Sequence, residues 1–271
     1  MQDKDPLATL AWLVDAGADE AIGDAPVNRL IVKPAPPVPI APAASLKPAA
    51  STITKLAPSG TDPIGDAMAA AAAATSLEAL KAAMESFEGS PLKRAATHTV
   101  FADGTPAGRI MVIGEAPGRD EDRIGKPFVG RAGQLLDKML ASIGLDRTRN
   151  CYITNVINWR PPENRDPSPE EAAICLPFLR RHIELANPGL ILLLGAVAAR
   201  HVMGITEGIM KTRGRWLEYR VGDAMVPVMP TLHPAYLLRQ PAHKKLAWRD
   251  LQAVATRMML LGLPERAGKG R

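Results

Sequence analysis

The spacing of apolar and polar positions changes period repeatedly along the chain, and each change marks an element. Leu7, Leu10, Leu13 and Val14 recur on one helical stripe over residues 6–17, with Pro6 suited to a first turn. A proline tract follows, Pro34 to Pro42 and on through Pro48 and Pro58. Proline fixes φ and removes amide donors, so residues 26–66 read as a semi-stiff linker behind a helical segment within residues 1–25. From Ala67 to Phe87 the sequence is alanine-rich and nearly free of breakers, which predicts one strong helix. Its Leu77, Leu80, Met84 and Phe87 form a stripe that reads as core.

The period then shortens. Val100 to Gly104 is a short extended piece ending in a turn, and Ile110 to Ile113 is an apolar run bounded by a turn, the mark of a buried strand. Gln134 to Ile143 reads as a helix closed by Gly144, and Tyr152 to Ile157 as a second strand. Arg160-Pro-Pro-Glu-Asn-Arg-Asp-Pro-Ser-Pro is too rich in proline for regular structure. Ser168 caps the next helix, with Pro169 at its first position and Glu171 three residues on, and this helix runs to about Ala186. Gly189 to Gly195 is a third strand, Ala196 to Met203 a short helix, and Met225 to Pro234 a strand entering a loop. Trp248 to Leu261 is a closing helix stopped by Gly262. Strands alternating with helices predict an α/β domain over residues 67–265, a three-layer α/β/α sandwich with a mostly parallel central sheet.

In such a sheet the loops after the carboxyl ends of the strands meet in one crevice. The first strand ends in Gly114-Glu-Ala-Pro-Gly, followed by the acids Asp120, Glu121 and Asp122 and by Phe128 among glycines. Asn155 ends the second strand and His233 the last. Asparagine offers a donor and an acceptor to the edge of a base or amide. Phe128 offers a flat face for stacking, and His233 a donor to a developing anion or an acid. No His/Cys cluster has metal-ligand spacing, and neither a Gly-x-Ser-x-Gly elbow nor a Gly-Lys-Ser/Thr phosphate loop is present.

Charge sharpens the picture. The chain of 271 residues carries +5 overall, but residues 1–100 hold 8 basic and 11 acidic side chains and residues 101–271 hold 25 and 17. The C-terminal part is therefore the candidate for a polyanionic partner. Two cysteines, Cys151 and Cys175, exclude a disulfide framework and suggest a reducing compartment. No export signal and no run of about 18 apolar residues is visible, so a cytoplasmic protein without membrane spans is expected.

Gly114-Glu-Ala-Pro-Gly with Glu121-Asp122, then Gly125-Lys-Pro-Phe-Val-Gly-Arg-Ala-Gly-Gln-Leu-Leu, closely resembles the uracil-DNA glycosylases of the thermostable, family-4 type. Asn155-Val, Arg160-Pro-Pro-Glu-Asn-Arg-Asp-Pro and His233-Pro-Ala-Tyr-Leu-Leu-Arg are similar to the same family in order and spacing. The resemblance covers roughly residues 87–255. It implies a DNA-repair enzyme that flips uracil out of DNA and cleaves its N-glycosidic bond to leave an abasic site. It implies further that Gly114, Phe128 and Asn155 bind the uracil and that His233 stabilises the departing base. Glu115 and Glu121 become the candidates for orienting water and for stabilising the cationic sugar, either acid in either role. Leu237, Leu238 and Arg239 would form a wedge in the duplex. Arg160, Arg165, Arg239, Lys244 and Lys245 would meet phosphates.

Members of that family typically hold a [4Fe–4S] cluster on four cysteines. Here the corresponding places are Phe87, Ser90, Trp159 and Cys175, and a single thiolate cannot hold such a cluster. No metal or cofactor is therefore expected, with Trp159 and Phe87 packing where the cluster would sit. Cys151 reads as a small buried residue. Two other readings stay open: a relative acting on another damaged base, and a DNA-binding or uracil-recognising protein with weak or no catalysis. The expected partner is uracil-containing DNA, bound by a monomer, with the N-terminal helix free to engage a protein partner.

Overall fold

The computed structural model describes residues 62–264. The helix expected at residues 6–17 and most of the linker lie outside them. The first elements are α1 (Pro63–Ala73), α2 (Leu77–Ser86) and α3 (Pro91–Ala95). The alanine-rich stretch is thus two helices, not one. Asp62 caps the first, and at the break the Ser76 hydroxyl accepts from the Ala79 amide at 3.1 Å, starting a second helix on a new axis. Helix propensity is high on both sides, but a serine side chain satisfying orphan amides decides where the chain turns.

The sheet has six strands: β1 (Asp103–Gly104), β2 (Ile110–Gly114), β3 (Tyr152–Asn155), β4 (Leu190–Leu194), β5 (Leu217–Val221) and β6 (Ala224–Thr231). Their order is β1-β3-β2-β4-β6-β5. The four inner strands run parallel and both edge strands are antiparallel. The mostly parallel sheet is as expected. The edge strand β5, which makes a hairpin with β6, was not anticipated from the sequence.

Between the strands lie α4 (Arg119–Ile124), α5 (Arg131–Ala141), α6 (Pro169–Ala186), α7 (Gly195–Met203) and α8 (Ile209–Thr212), and after β6 come α9 (Pro234–Arg239) and α10 (Lys244–Leu261). Every residue of β2, β3 and β4 is buried, as in a sheet covered on both faces, and successive side chains turn to opposite layers. Met111, Ile113, Ile191, Leu193 and Val228 face the layer of α1, α2 and α6, while Ile110, Val112, Leu190, Leu192 and Met229 face α5, α9 and α10. The capping box at Ser168 forms as its spacing predicts: Ser168 Oγ accepts from the Glu171 amide and the Glu171 carboxylate accepts from the Ser168 amide at 2.8 Å.

The connection from β2 goes to β3 on one side, and the chain then crosses back over β2 to β4 on the other. Connections that part in opposite directions leave a crevice at the carboxyl end of the strands. Register sets its floor, with Gly114 opposite Asn155 and Leu194 opposite Thr231.

Candidate active site

At that crevice Ala116, Gly118, Glu121, Phe128, Ala132, Asn155, His233 and Ala235 line a cavity of about 190 Å³. Gly114 lies at its base, where a β-carbon would collide with Asn155 Oδ1 and the Phe128 ring. Only glycine leaves room there. Gly195, at φ +90° where β4 turns into α7, brings its backbone against the His233 Cβ. Loops from β2, β3, β4 and β6 therefore meet, as the parallel arrangement demands.

Asn155 is 1% exposed, and its Oδ1 is buried with no hydrogen-bond partner among the described residues. An unpaired buried acceptor costs about 1–3 kcal/mol, and a ligand donor would recover it. Phe128 is buried beside it, its ring centroid 5.6 Å from that of His233 at 33°. His233 caps α9: its Nδ1 accepts from the Ala235 amide at 3.1 Å. A neutral imidazole accepting at Nδ1 carries its proton on Nε2. Burial, with the Arg239 charge as a second cause, lowers the His233 pKa to about 4, so the ring is neutral near pH 7.

The acids divide by environment. One Glu121 oxygen accepts from the Val129 and Gly130 amides, both at 2.9 Å, and the other from the Gly118 amide at 3.1 Å. This carboxylate closes the loop that carries Phe128. Asp122 is buried and accepts from the Thr97 and His98 amides at 2.8 and 3.1 Å. Asp120 lies at the surface near Arg123. Glu115 makes no side-chain hydrogen bond among the described residues. Burial raises its pKa, the Asp166 charge adds to that, and Arg200 opposes it.

A family model described as the uracil DNA glycosylase superfamily matches residues 101–252. The chain belongs to that superfamily, in its type-4 branch. It is similar to the type-4 uracil-DNA glycosylase of Thermotoga maritima, 42% identical over 165 residues that make up 60% of this chain and 84% of that protein. The counterpart from Archaeoglobus fulgidus is 43% identical over 154 residues, 55% of this chain and 77% of the relative. That of Sulfurisphaera tokodaii is 38% identical over 184 residues, 66% and 83%.

Of the residues singled out for DNA, Leu238 and Arg239 face outward, whereas Leu237 is buried in the core beneath them. Lys244 is exposed at the start of α10. Arg160 donates to Asn164 Oδ1 at 2.8 Å. Arg165 gives its fork to Glu171 at 2.8 and 2.6 Å and bonds the Asp166 carbonyl. No pattern in the sequence marked Arg147, whose guanidinium donates to the Pro127 and Phe128 carbonyls behind the cavity. Its partners there are backbone atoms about twenty positions away, which leave no motif.

The residues at the family's cluster places do not fit an iron–sulfur group. Phe87 stacks on Trp159 with centroids 6.3 Å apart, and both pack edgewise on Phe178 at 5.2 and 6.4 Å. Trp159 Nε1 donates to Thr99 Oγ1 at 3.0 Å. Ser90 is wholly buried and its Oγ has no partner among the described residues. Cys175 is wholly buried, which pushes its thiol up to about 12, away from the thiolate a cluster needs. Among the described residues no group of three or more His, Cys, Asp or Glu side chains could hold a metal ion. No helix among them is long and apolar enough to cross a membrane.

Proposed function

We propose that the cavity takes a uracil flipped out of DNA and that the protein hydrolyses its N-glycosidic bond, leaving an abasic site. The observation that carries this is the buried Asn155 Oδ1, unpaired among the described residues, on a side chain that lines the cavity together with Phe128 and His233. Uracil presents an N–H flanked by two carbonyls, so Asn155 Oδ1 accepts from that N–H while its Nδ2 donates to the neighbouring carbonyl. Cytosine offers an acceptor where uracil has its N–H and a donor where Asn155 also has one. Each mismatch costs on the order of 1–3 kcal/mol. Phe128 covers one face of the base.

The reaction separates charge. The C1′–N1 bond breaks with its electron pair leaving on the base, and positive charge grows on the sugar. Neutral His233, proton on Nε2, donates to the uracil carbonyl that gathers the negative charge. Water adds to C1′, and the proton it loses passes to the uracil anion, giving neutral free uracil and an abasic sugar. Of the two acids Glu115 and Glu121, Glu115 makes no side-chain hydrogen bond among the described residues, which favours it for orienting that water and facing the sugar cation. Glu121, bound by three amides, holds the walls in place. Leu238 would enter the duplex gap, backed by buried Leu237, with Arg160, Arg239 and Lys244 on phosphates.

The reading includes catalysis without a cluster, supported by the single thiol and the aromatic packing described above, in a reducing, cytoplasmic setting suited to two free cysteines. The pure protein incubated with single- and double-stranded oligonucleotides carrying one uracil should release free uracil and leave an alkali-labile site. Retained DNA binding with no release at enzyme excess would replace the glycosylase by a binding protein.

A further inference from the structure

Phe128 has to hold an uncomfortable conformation to serve as a stacking face. Its φ is +53°, the left-handed region that a bulky side chain avoids unless its surroundings impose it. Two charged side chains grip the backbone on either side of it. Glu121 takes the amides that follow, those of Val129 and Gly130. Arg147 takes the carbonyls: Nη1 donates to Pro127 at 3.0 Å and Nη2 to Phe128 at 2.8 Å.

The Arg147 side chain is 13% exposed and is itself held on its other edges. Its Nε donates to Asp137 of α5 at 2.9 Å, its Nη2 lies 2.7 Å from the same carboxylate, and its Nη1 reaches Asp103 of β1 at 3.2 Å. Gly133 completes the seat, since a β-carbon there would collide with the Phe128 carbonyl. A planar fork anchored by two carboxylates presents donors to two successive carbonyls in fixed directions, which an ammonium group cannot reproduce. Arg147 is not among the residues lining the cavity.

We infer that Arg147 is a positioning residue for uracil recognition, locking the strained Phe128 peptide so that its ring stands over Gly114 and Asn155. This rests on the uracil reading of the cavity. The role acts through Phe128 alone, which gives it a signature that general stabilisation lacks. The test is a double-mutant cycle on the full chain with Arg147→Met, Phe128→Leu and the pair, read as single-turnover uracil release and as calorimetric affinity for free uracil. Arg147→Met should slow release and weaken uracil binding, each by about tenfold or more, with affinity for uracil-free DNA within about twofold. In the Phe128→Leu background the same change should cost less than about twofold.

Arg147→Lys keeps the charge against Asp103 and Asp137 but loses the fork. It should fold and still show most of the uracil defect, which covers the case of an Arg147→Met protein that does not fold. Equal cost in both backgrounds would overturn the proposal, as would wild-type uracil affinity in a folded Arg147→Lys protein. Failure of the wild type to release uracil would overturn the glycosylase reading instead, and the cycle is then decided by uracil binding alone.

Discussion

The Asn155 amide oxygen is buried without a partner among the described residues, and in the proposed function the uracil N–H supplies the donor. Asn155→Leu should therefore lower single-turnover uracil release by at least about a hundredfold, the range seen when a positioned polar contact to a reacting group is removed. Binding to uracil-free DNA, measured by anisotropy, should not change. His233 gives a pH prediction. Its pKa of about 4, and that of about 3 for wholly buried His182, both lie below the ordinary 6.5. The unfolded chain then takes up protons first, so both contributions are complete above pH 6.5, shrink as pH falls below it, and level off near pH 3–4. Each contributes a slope of at most about 1.4 kcal/mol per pH unit. Denaturant melts between pH 8 and 4 should show a shallower acid loss in His182→Asn than in the wild type. Phe128, Asn155 and His233 were legible because a parallel sheet sends strand ends to one edge. The difference between Glu115 and Glu121 was not, because it depends on which backbone amides face each carboxylate.

Elements were legible where side-chain chemistry marks their ends. The Ser168–Glu171 box and the glycine-bounded β4 lie where pattern puts them. Periodicity alone fused α1 and α2, since an unbroken alanine run does not reveal that Ser76 will turn inward to cap. Ser168→Ala should cost about 1 kcal/mol in urea unfolding through the lost cap. The packing of Phe87, Trp159 and Phe178 joins the end of α2, the loop after β3 and α6, the segments that carry the family's cluster places. Phe178, wholly buried in that knot, should cost about 3–5 kcal/mol when changed to alanine. Incubation with an iron chelator should leave both the melting temperature and uracil release unchanged, and the purified protein should contain no stoichiometric iron by elemental analysis.

At the scale of the whole molecule, the excess of basic residues after position 100 predicts salt-dependent DNA binding, and the structure divides the cations by what already holds them. Arg165 sits in a two-pronged pair with Glu171, while Arg239 at the end of α9 and Lys244 at the start of α10 are exposed. Each phosphate neutralised on duplex DNA contributes about 0.9 to the slope of log affinity against log salt. Arg239→Ala and Lys244→Ala should each lower the magnitude of that slope by about 1, uniformly across sequences. Arg165→Ala frees Glu171 and removes a cation already neutralised, so its slope should stay near that of the wild type while the loop before α6 loses stability. The measurement is anisotropy of a uracil-free duplex from about 50 to 200 mM salt. An Arg165→Ala slope reduced as much as that of Lys244→Ala would mean that DNA breaks the Arg165–Glu171 pair on binding, and the phosphate path would then run along the proline-rich loop after β3 rather than along α9 and α10.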